Sequence, residues 1–234
     1  MQLDIVRTVA SLVDCVQHTQ NDSTTSNNPV ITLSAGTGAG GKEVGKILAA
    51  RLGVELYDKE IVDRMAQETH FNKRILELLD ERVDGLKGAW FHSILTGQNL
   101  CKENYCRNLV NVILGISCRG GVILGRGGSF ILAHLPVFRV HIIGSPARCA
   151  ARIAAQENVT LSTAKKRVKK TDKVRKQYIK KLFKRDNNDP IYFDLVINSD
   201  HLSLESIADL ILHAKQHVQS KPTDRNYSPF RLTR

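Results

Sequence analysis

The residues with the plainest chemistry stand together as Gly36, Thr37, Gly38, Ala39, Gly40, Gly41, Lys42 and Glu43. Four glycines among six positions leave backbone N–H groups that can converge on an anion, because no Cβ blocks the approach. Residues 36–42 satisfy G-x-x-x-x-G-K, the pattern of a loop that cradles nucleotide phosphates, with Glu43 standing where Ser or Thr holds magnesium. A plain glycine-rich turn is the alternative, but a turn uses one or two glycines where φ must be positive, not four.

Three further sets of cations could meet the same anion. Arg126 sits among Gly125, Gly127 and Gly128; its planar fork suits a phosphate, and a structural ion pair is the competing role. Arg148 and Arg152 are four apart on one face of a predicted helix. Residues 165–185 carry twelve basic side chains and one acidic one, Asp172, while the rest of the chain holds twenty-two of each sign. The whole net charge of +11 therefore lies in one segment, which grips either a polyanion or one small, highly charged anion.

The elements that must position these residues alternate. A β-branched run from Val30 leads into the glycine loop, and Val44, Ile47, Leu48 and Leu52 then keep helical spacing up to a capping Gly53. A second strand, 54–57, ends at Asp58. In an open parallel sheet that end lies beside the loop, and Asp58 equally has the place of a cap for the next helix. Residues 59–117 read as a helical insertion without a strand. Strands follow at 121–124, ending at the Arg126 turn, and at 138–143, from which Ser145 and Pro146 start the helix with Arg148 and Arg152. The basic segment reads as a helix with cations all round it, destabilised by repulsion until an anion arrives, hence a mobile lid ended by Asp189 and Pro190. A fifth strand, 195–198, and an amphipathic helix, 204–218, close the pattern. The expected fold is α/β, a three-layer sandwich around about five parallel strands.

Composition narrows the setting. The 234 residues suffice for one domain with insertions. Five cysteines, an odd number without a C-x-x-C pair, point to free thiols in a reducing compartment. A zinc site from Cys101, Cys106 and a histidine is a weak alternative, and His213 and His217 lack the glutamate of H-E-x-x-H, so no metal ligands are assigned. No apolar run approaches the roughly 20 residues of a membrane span. Asp4 and Asp14 break any signal peptide. A cytoplasmic protein without membrane association is expected. Residues 1–28 read as an appended amphipathic helix and polar linker, and 219–234 as a basic, disordered tail.

The stretches ITLSAGTGAGGKEVGKILAARLGVELYDKEI, GVILGRGGSFIL, KKTDKVRKQY and YFDLVINSDHLSLESIADLI, in this order and spacing, resemble the cytidylate kinase-like family of P-loop nucleoside monophosphate kinases. The likeness covers residues 31 to about 211. It implies a kinase-like domain over 29–218, with 58–118 as the monophosphate-binding insertion and 160–188 as the lid. It also implies transfer of the ATP γ-phosphoryl group to CMP, dCMP or a similar acceptor, with Mg2+ as the metal. Small nucleotides would be the partners and nucleic acid would not; the alternatives are a nucleotide-binding sensor without turnover and, behind it, a nucleic-acid binder.

Carried over by position, the resemblance implies that 36–43 hold the ATP phosphates and that Arg126 binds the acceptor, with Asp58, Arg148 and Arg152 on the substrate side. Lys42, Lys173 and Arg175 would stabilise the moving charge, and Asp172 opens the Asp-Lys-Val-Arg version of the family's Asp-Arg-x-Arg lid pattern. Family enzymes follow the arginine after the third strand with aspartate, where Gly127 stands here. A second alignment puts Gly41 at the Walker lysine's place. Glu43 is ordinary for this branch.

Overall fold

Val30–Ala35 forms the central strand, β1, of a five-stranded sheet whose neighbours all run parallel to it. The computed structural model describes residues 29–68, 103–133 and 135–218. In chain order the elements are β1, α1 (Gly41–Leu52), β2 (Leu56–Tyr57), α2 (Lys59–Glu68), α3 (Glu103–Arg119), β3 (Gly121–Leu124), α4 (Gly128–Ile131), β4 (Phe138–Ile143), α5 (Pro146–Glu157), α6 (Leu161–Phe183), a 3-10 turn (Pro190–Tyr192), β5 (Leu195–Asn198) and α7 (Leu204–His217). The sheet order is β2-β3-β1-β4-β5. The segment expected as an N-terminal helix, 1–28, the tail, 219–234, and the middle of the insertion, 69–102, lie outside the described residues.

Because strand side chains alternate between faces, β1 and β3 feed two cores. Ile31, Leu33 and Val122 join Val44, Leu48, Val140, Ile142, Ile207 and Ile211 on one face. Val30 and Ile123 join Tyr57, Met65, Ile113, Ile116 and Phe130 on the other. Helices α1, α5 and α7 cover the first face, and α2, α3 and α4 the second. The result is the expected three-layer α/β sandwich.

Helix α6 belongs to both layers. Ala164 and Val168 are buried in the first core, Ile179 and Phe183 in the second. The middle of the helix therefore crosses the carboxyl edge of the sheet, where the glycine loop lies. This burial revises the expectation of cations all round the helix: Ala164, Val168, Thr171, Arg175, Tyr178 and Leu182 form an inward face, and the lysines are exposed on the other side. The helix is amphipathic, so packing rather than an arriving anion supports it. It ends before Asp189, at Lys184 in the left-handed region.

Local chemistry explains most boundaries. Gly53 at φ 65° closes α1, and Ser145 accepts the Arg148 amide with Pro146 at the first position of α5. Thr160 caps α6 in the same way. Strand β2 is two residues long rather than four, since only Leu56 and Tyr57 pair with β3. The entry to β5 is fixed to β4 by Arg139, which donates from its guanidinium and backbone to Asp194 at 2.9–3.2 Å. Cys118 and Cys149 are free thiols.

His141 on β4 is buried and its ring stacks on Phe193 at 4.7 Å. Burial lowers its pKa from the ordinary 6.5. The unfolded chain then takes up this proton first, so the contribution to stability is complete above pH 6.5 and is lost as pH falls from there toward the folded value. The melting temperature of the wild type is expected to drop more across this acidic window than that of His141→Phe, which keeps the ring stack; parallel pH-melting curves would exclude His141 as the source.

Candidate functional site

The glycine loop is held by its neighbours at almost every residue. The Gly36 amide donates to the Ile142 carbonyl at 3.0 Å, and the Ala39 amide closes a turn on Gly36. Gly38 and Gly40 have φ of 81° and 87°. A β-carbon at Gly38 would strike the Cys149 carbonyl, one at Gly40 the Leu204 side chain, and one at Gly41 the Ala35 β-carbon. Three of the glycines are thus required by packing against α5, α7 and β1; at Gly36 a β-carbon would meet only ordinary contact. Arg152 locks the loop from α5. Its guanidinium donates to the Gly38 carbonyl at 3.2 Å, to Ser199 Oγ at 2.9 Å and to the Ser199 carbonyl.

From above, α6 places Asp172 on the loop. Its Oδ1 accepts from the Thr37 amide at 2.9 Å and from Thr37 Oγ1 at 2.7 Å. Arg175, one turn on, donates to the Ala35 carbonyl at 2.9 Å and stands 4.0 Å from Asp172. Desolvation of the Arg175 head lowers its pKa, with Asp172 opposing, although half of the side chain is exposed. Ser34 Oγ donates to Asn187 Oδ1 at 3.2 Å, beyond the end of α6. The loop therefore already binds one oxyanion, a carboxylate of the same chain.

The remaining cations distribute unevenly. Lys42 reaches Asp58 at 3.2 Å, and this hydrogen bond, with the charge behind it, raises the lysine pKa. Asp58 fills both roles the sequence left open: Oδ1 accepts from the Glu60 and Ile61 amides at the start of α2 at 3.0 and 3.1 Å, while Oδ2 holds Lys42. Lys173 lies about 100° around the helix from Asp172 and is exposed on the outer side. Arg148 is exposed, so the pair expected on one ligand-facing side of α5 divides into a half-buried tie, Arg152, and a solvated arginine. Glu43 is half-buried beside Lys42.

Arg126 sits in a turn where three successive residues are left-handed: Gly125 at φ 80°, Arg126 at 52° and Gly127 at 72°. A non-glycine residue there is strained and held by its surroundings. Its guanidinium pairs with Asp63 of α2 and lies over the Tyr178 ring of α6 at 5.3 Å. Asp63 also accepts from Tyr105 of α3 at 2.7 Å. The ion pair weighed as an alternative at the sequence level is therefore present, supplied by a residue 63 positions earlier in the chain. Burial opposes the Arg126 charge, but Tyr105, Tyr178 and Asp63 outweigh it and its pKa is raised; burial also raises both tyrosines. Nε of Arg126 is buried without a hydrogen-bond acceptor among the described residues. A β-carbon at Gly127 would strike the Phe183 ring.

A model of the cytidylate kinase-like family matches residues 30–201. The chain belongs to that family. Among solved structures, a protein of Eubacterium ventriosum ATCC 27560, titled only as uncharacterized, is similar at 22% identity and a TM-score of 0.63, with 82% of this chain and 100% of that one covered. Shikimate kinases of Acinetobacter baumannii and Bacteroides thetaiotaomicron are 17% and 15% identical, with TM-scores of 0.43 and 0.44. They cover 80% of this chain in each case, and 92% and 98% of their own. No curated protein matches. The family match excludes the N-terminal segment and the tail, as the sequence resemblance did. Its kinase-type α/β fold places the loop, Asp58 and the Arg126 turn at the carboxyl edge of one parallel sheet.

Sequence reading missed Asp63, Tyr105, Ser199 and Asn187. Ser199 directly follows β5, and strand ends in a parallel sheet line the ligand crevice; that rule could have found it. The others come from insertion and loop residues with no motif. Arg152→Ala is expected to lower stability by about 2–3 kcal/mol, since it strips charged hydrogen bonds from buried acceptors, whereas Arg148→Ala should stay within about 0.5 kcal/mol. Equal losses in urea melts would refute the division of this arginine pair.

Proposed function

We propose that the protein is an ATP-dependent nucleoside monophosphate kinase acting on CMP, dCMP or a similar small acceptor. The observation that carries the reading is the Thr37 amide and hydroxyl holding a carboxylate oxygen at the mouth of a glycine loop that follows the central strand. Those two donors fit a phosphate oxygen equally well. ATP would supply the activated phosphoryl group, and Mg2+ would be carried chiefly by its phosphates and water, with Asp58 or Glu43 within reach through water.

In this reading the chain's own groups have separate tasks. The loop backbone, 36–42, and the start of α1 orient the donor, where the helix adds partial positive charge. Lys42 leaves Asp58 to meet phosphate oxygens, and Arg175, over the loop, neutralises charge on the moving group. Lys173 contributes only if the lid turns its outer face inward. Asp172 carries negative charge, so it cannot stabilise a phosphoryl group directly; it acts as a latch that holds Thr37 and yields it to the nucleotide. On the acceptor side, Arg126 has one edge on Asp63 and a buried Nε without an acceptor among the described residues, and the strained turn aims it between the insertion helices and α6. Asp63 and Tyr105 position that guanidinium. Together the two sides would hold donor and acceptor in line beneath α6.

A second reading has one observation in its favour. Lys42 and Thr37 are both satisfied by carboxylates of the chain, which suits a protein that senses nucleotide by exchanging these contacts and does not turn it over.

Excess MgATP is expected to raise the melting temperature, and Lys42→Ala to weaken the rise; an unshifted melt would remove the nucleotide site altogether. Asp172→Asn, by withdrawing the competing charge from the Thr37 amide, should tighten MgATP binding by roughly fivefold or more. A panel of nucleoside monophosphates should give ADP release with CMP or dCMP, reduced on the order of a hundredfold in Arg126→Ala. Binding of ATP with no turnover on any acceptor would favour the sensor.

A further inference from the structure

Three residues of α6 spaced three apart meet successive parts of the sheet's carboxyl edge. Asp172 lies on the glycine loop, Arg175 on the Ala35 carbonyl at the end of β1, and Tyr178 beneath the Arg126 guanidinium in the turn after β3. Strands β1 and β3 are neighbours, so the helix runs from the loop toward the Arg126 turn, and Tyr178 follows Asp172 by about 9 Å along its axis. The Tyr178 hydroxyl is buried without a hydrogen-bond partner among the described residues, and so is Nε of the arginine that its ring supports. A buried phenol normally finds a partner, and an unpaired one is unfavourable. Phenylalanine would fill the same space without that cost.

We infer that Tyr178 is an acceptor-binding residue, whose hydroxyl and the Arg126 Nε–H together form a two-donor cradle for oxygen of the acceptor's phosphate. The inference rests on the kinase reading, in which Arg126 meets the acceptor. An ionised phosphate oxygen accepts hydrogen bonds, and both unpaired groups can donate one. Asp63, the carboxylate paired with this guanidinium, is already engaged on both oxygens, by the Tyr105 hydroxyl and by the second nitrogen of the Arg126 fork. Burial raises the Tyr178 pKa from the ordinary 10.0, with the Arg126 charge opposing. The phenol therefore stays protonated near neutral pH and remains a donor. Because both atoms are shut off from water, an acceptor reaches them only as α6 lifts, the same motion that frees Thr37 from Asp172. The helix that covers the donor loop thereby also completes the acceptor site.

The test compares the full chain with Tyr178→Phe, which removes the hydroxyl and keeps the ring beside Arg126. In steady-state assays with CMP as acceptor, the variant's KM for CMP is expected to rise roughly tenfold or more, the loss of one hydrogen bond to a charged group, while its KM for MgATP stays unchanged. Its melting temperature should equal or exceed that of the wild type, because an unpaired buried hydroxyl has been taken away. A lower melting temperature would show that the hydroxyl serves the fold, for instance through a buried water, and would overturn the inference. An unchanged KM for CMP would overturn it too, as would equal rises in both KM values, which mark a general disturbance of α6. The kinase reading fails separately: a wild type that turns over no nucleoside monophosphate removes that reading and the inference with it, whereas wild-type turnover of CMP that Tyr178→Phe leaves untouched removes the inference alone.

Discussion

The contact between Asp172 and Thr37 joins what the chain separates. Thr37 belongs to the loop that ends the central strand; Asp172 lies at the middle of a helix whose two ends are buried in opposite layers. A helix anchored at both ends across the edge of a sheet can approach the loop only at its centre. The position of this carboxylate is therefore set by hydrophobic burial at Val168 and Ile179, on either side of it. Charge then completes what packing arranged: Arg175 one turn on reaches the Ala35 carbonyl, and Ser34 reaches Asn187.

The same geometry explains why the basic segment looked different as a sequence. Twelve cations in twenty-one positions suggest a helix at war with itself. Once Ala164, Val168, Tyr178, Ile179 and Leu182 turn inward, the lysines spread over an outer half that faces water, where screening makes their repulsion small. The stretch keeps a helical apolar period under its charges, and that period outweighed them.

Much of the architecture could be read directly from residue order. The five strands, the capping Gly53, the Ser145–Pro146 start and the loop itself all depend on local chemistry, and local chemistry is visible in a window of a few residues. The partners of the functional side chains were not. Asp63 meets Arg126, and Ser199 meets Arg152, because sheet order and helix crossing bring them together; no spacing in the chain encodes either pair. Lys42 shows an intermediate case. Its partner Asp58 was placed beside the loop by the parallel-sheet rule, and the ion pair between them needed coordinates.

The Arg126 turn has a consequence for how this site can change. Relatives with aspartate after the corresponding arginine need room for a side chain, and here the Phe183 ring fills that room while Gly127 holds a left-handed φ of 72°. A carboxylate introduced at 127 alone would meet both the ring and the backbone conformation. Loss of the ring alone would leave a void beside Phe130, on which it stacks at 5.3 Å. The two positions are mutually contingent: a side chain at 127 requires the ring at 183 to give way and a backbone conformation that glycine tolerates best.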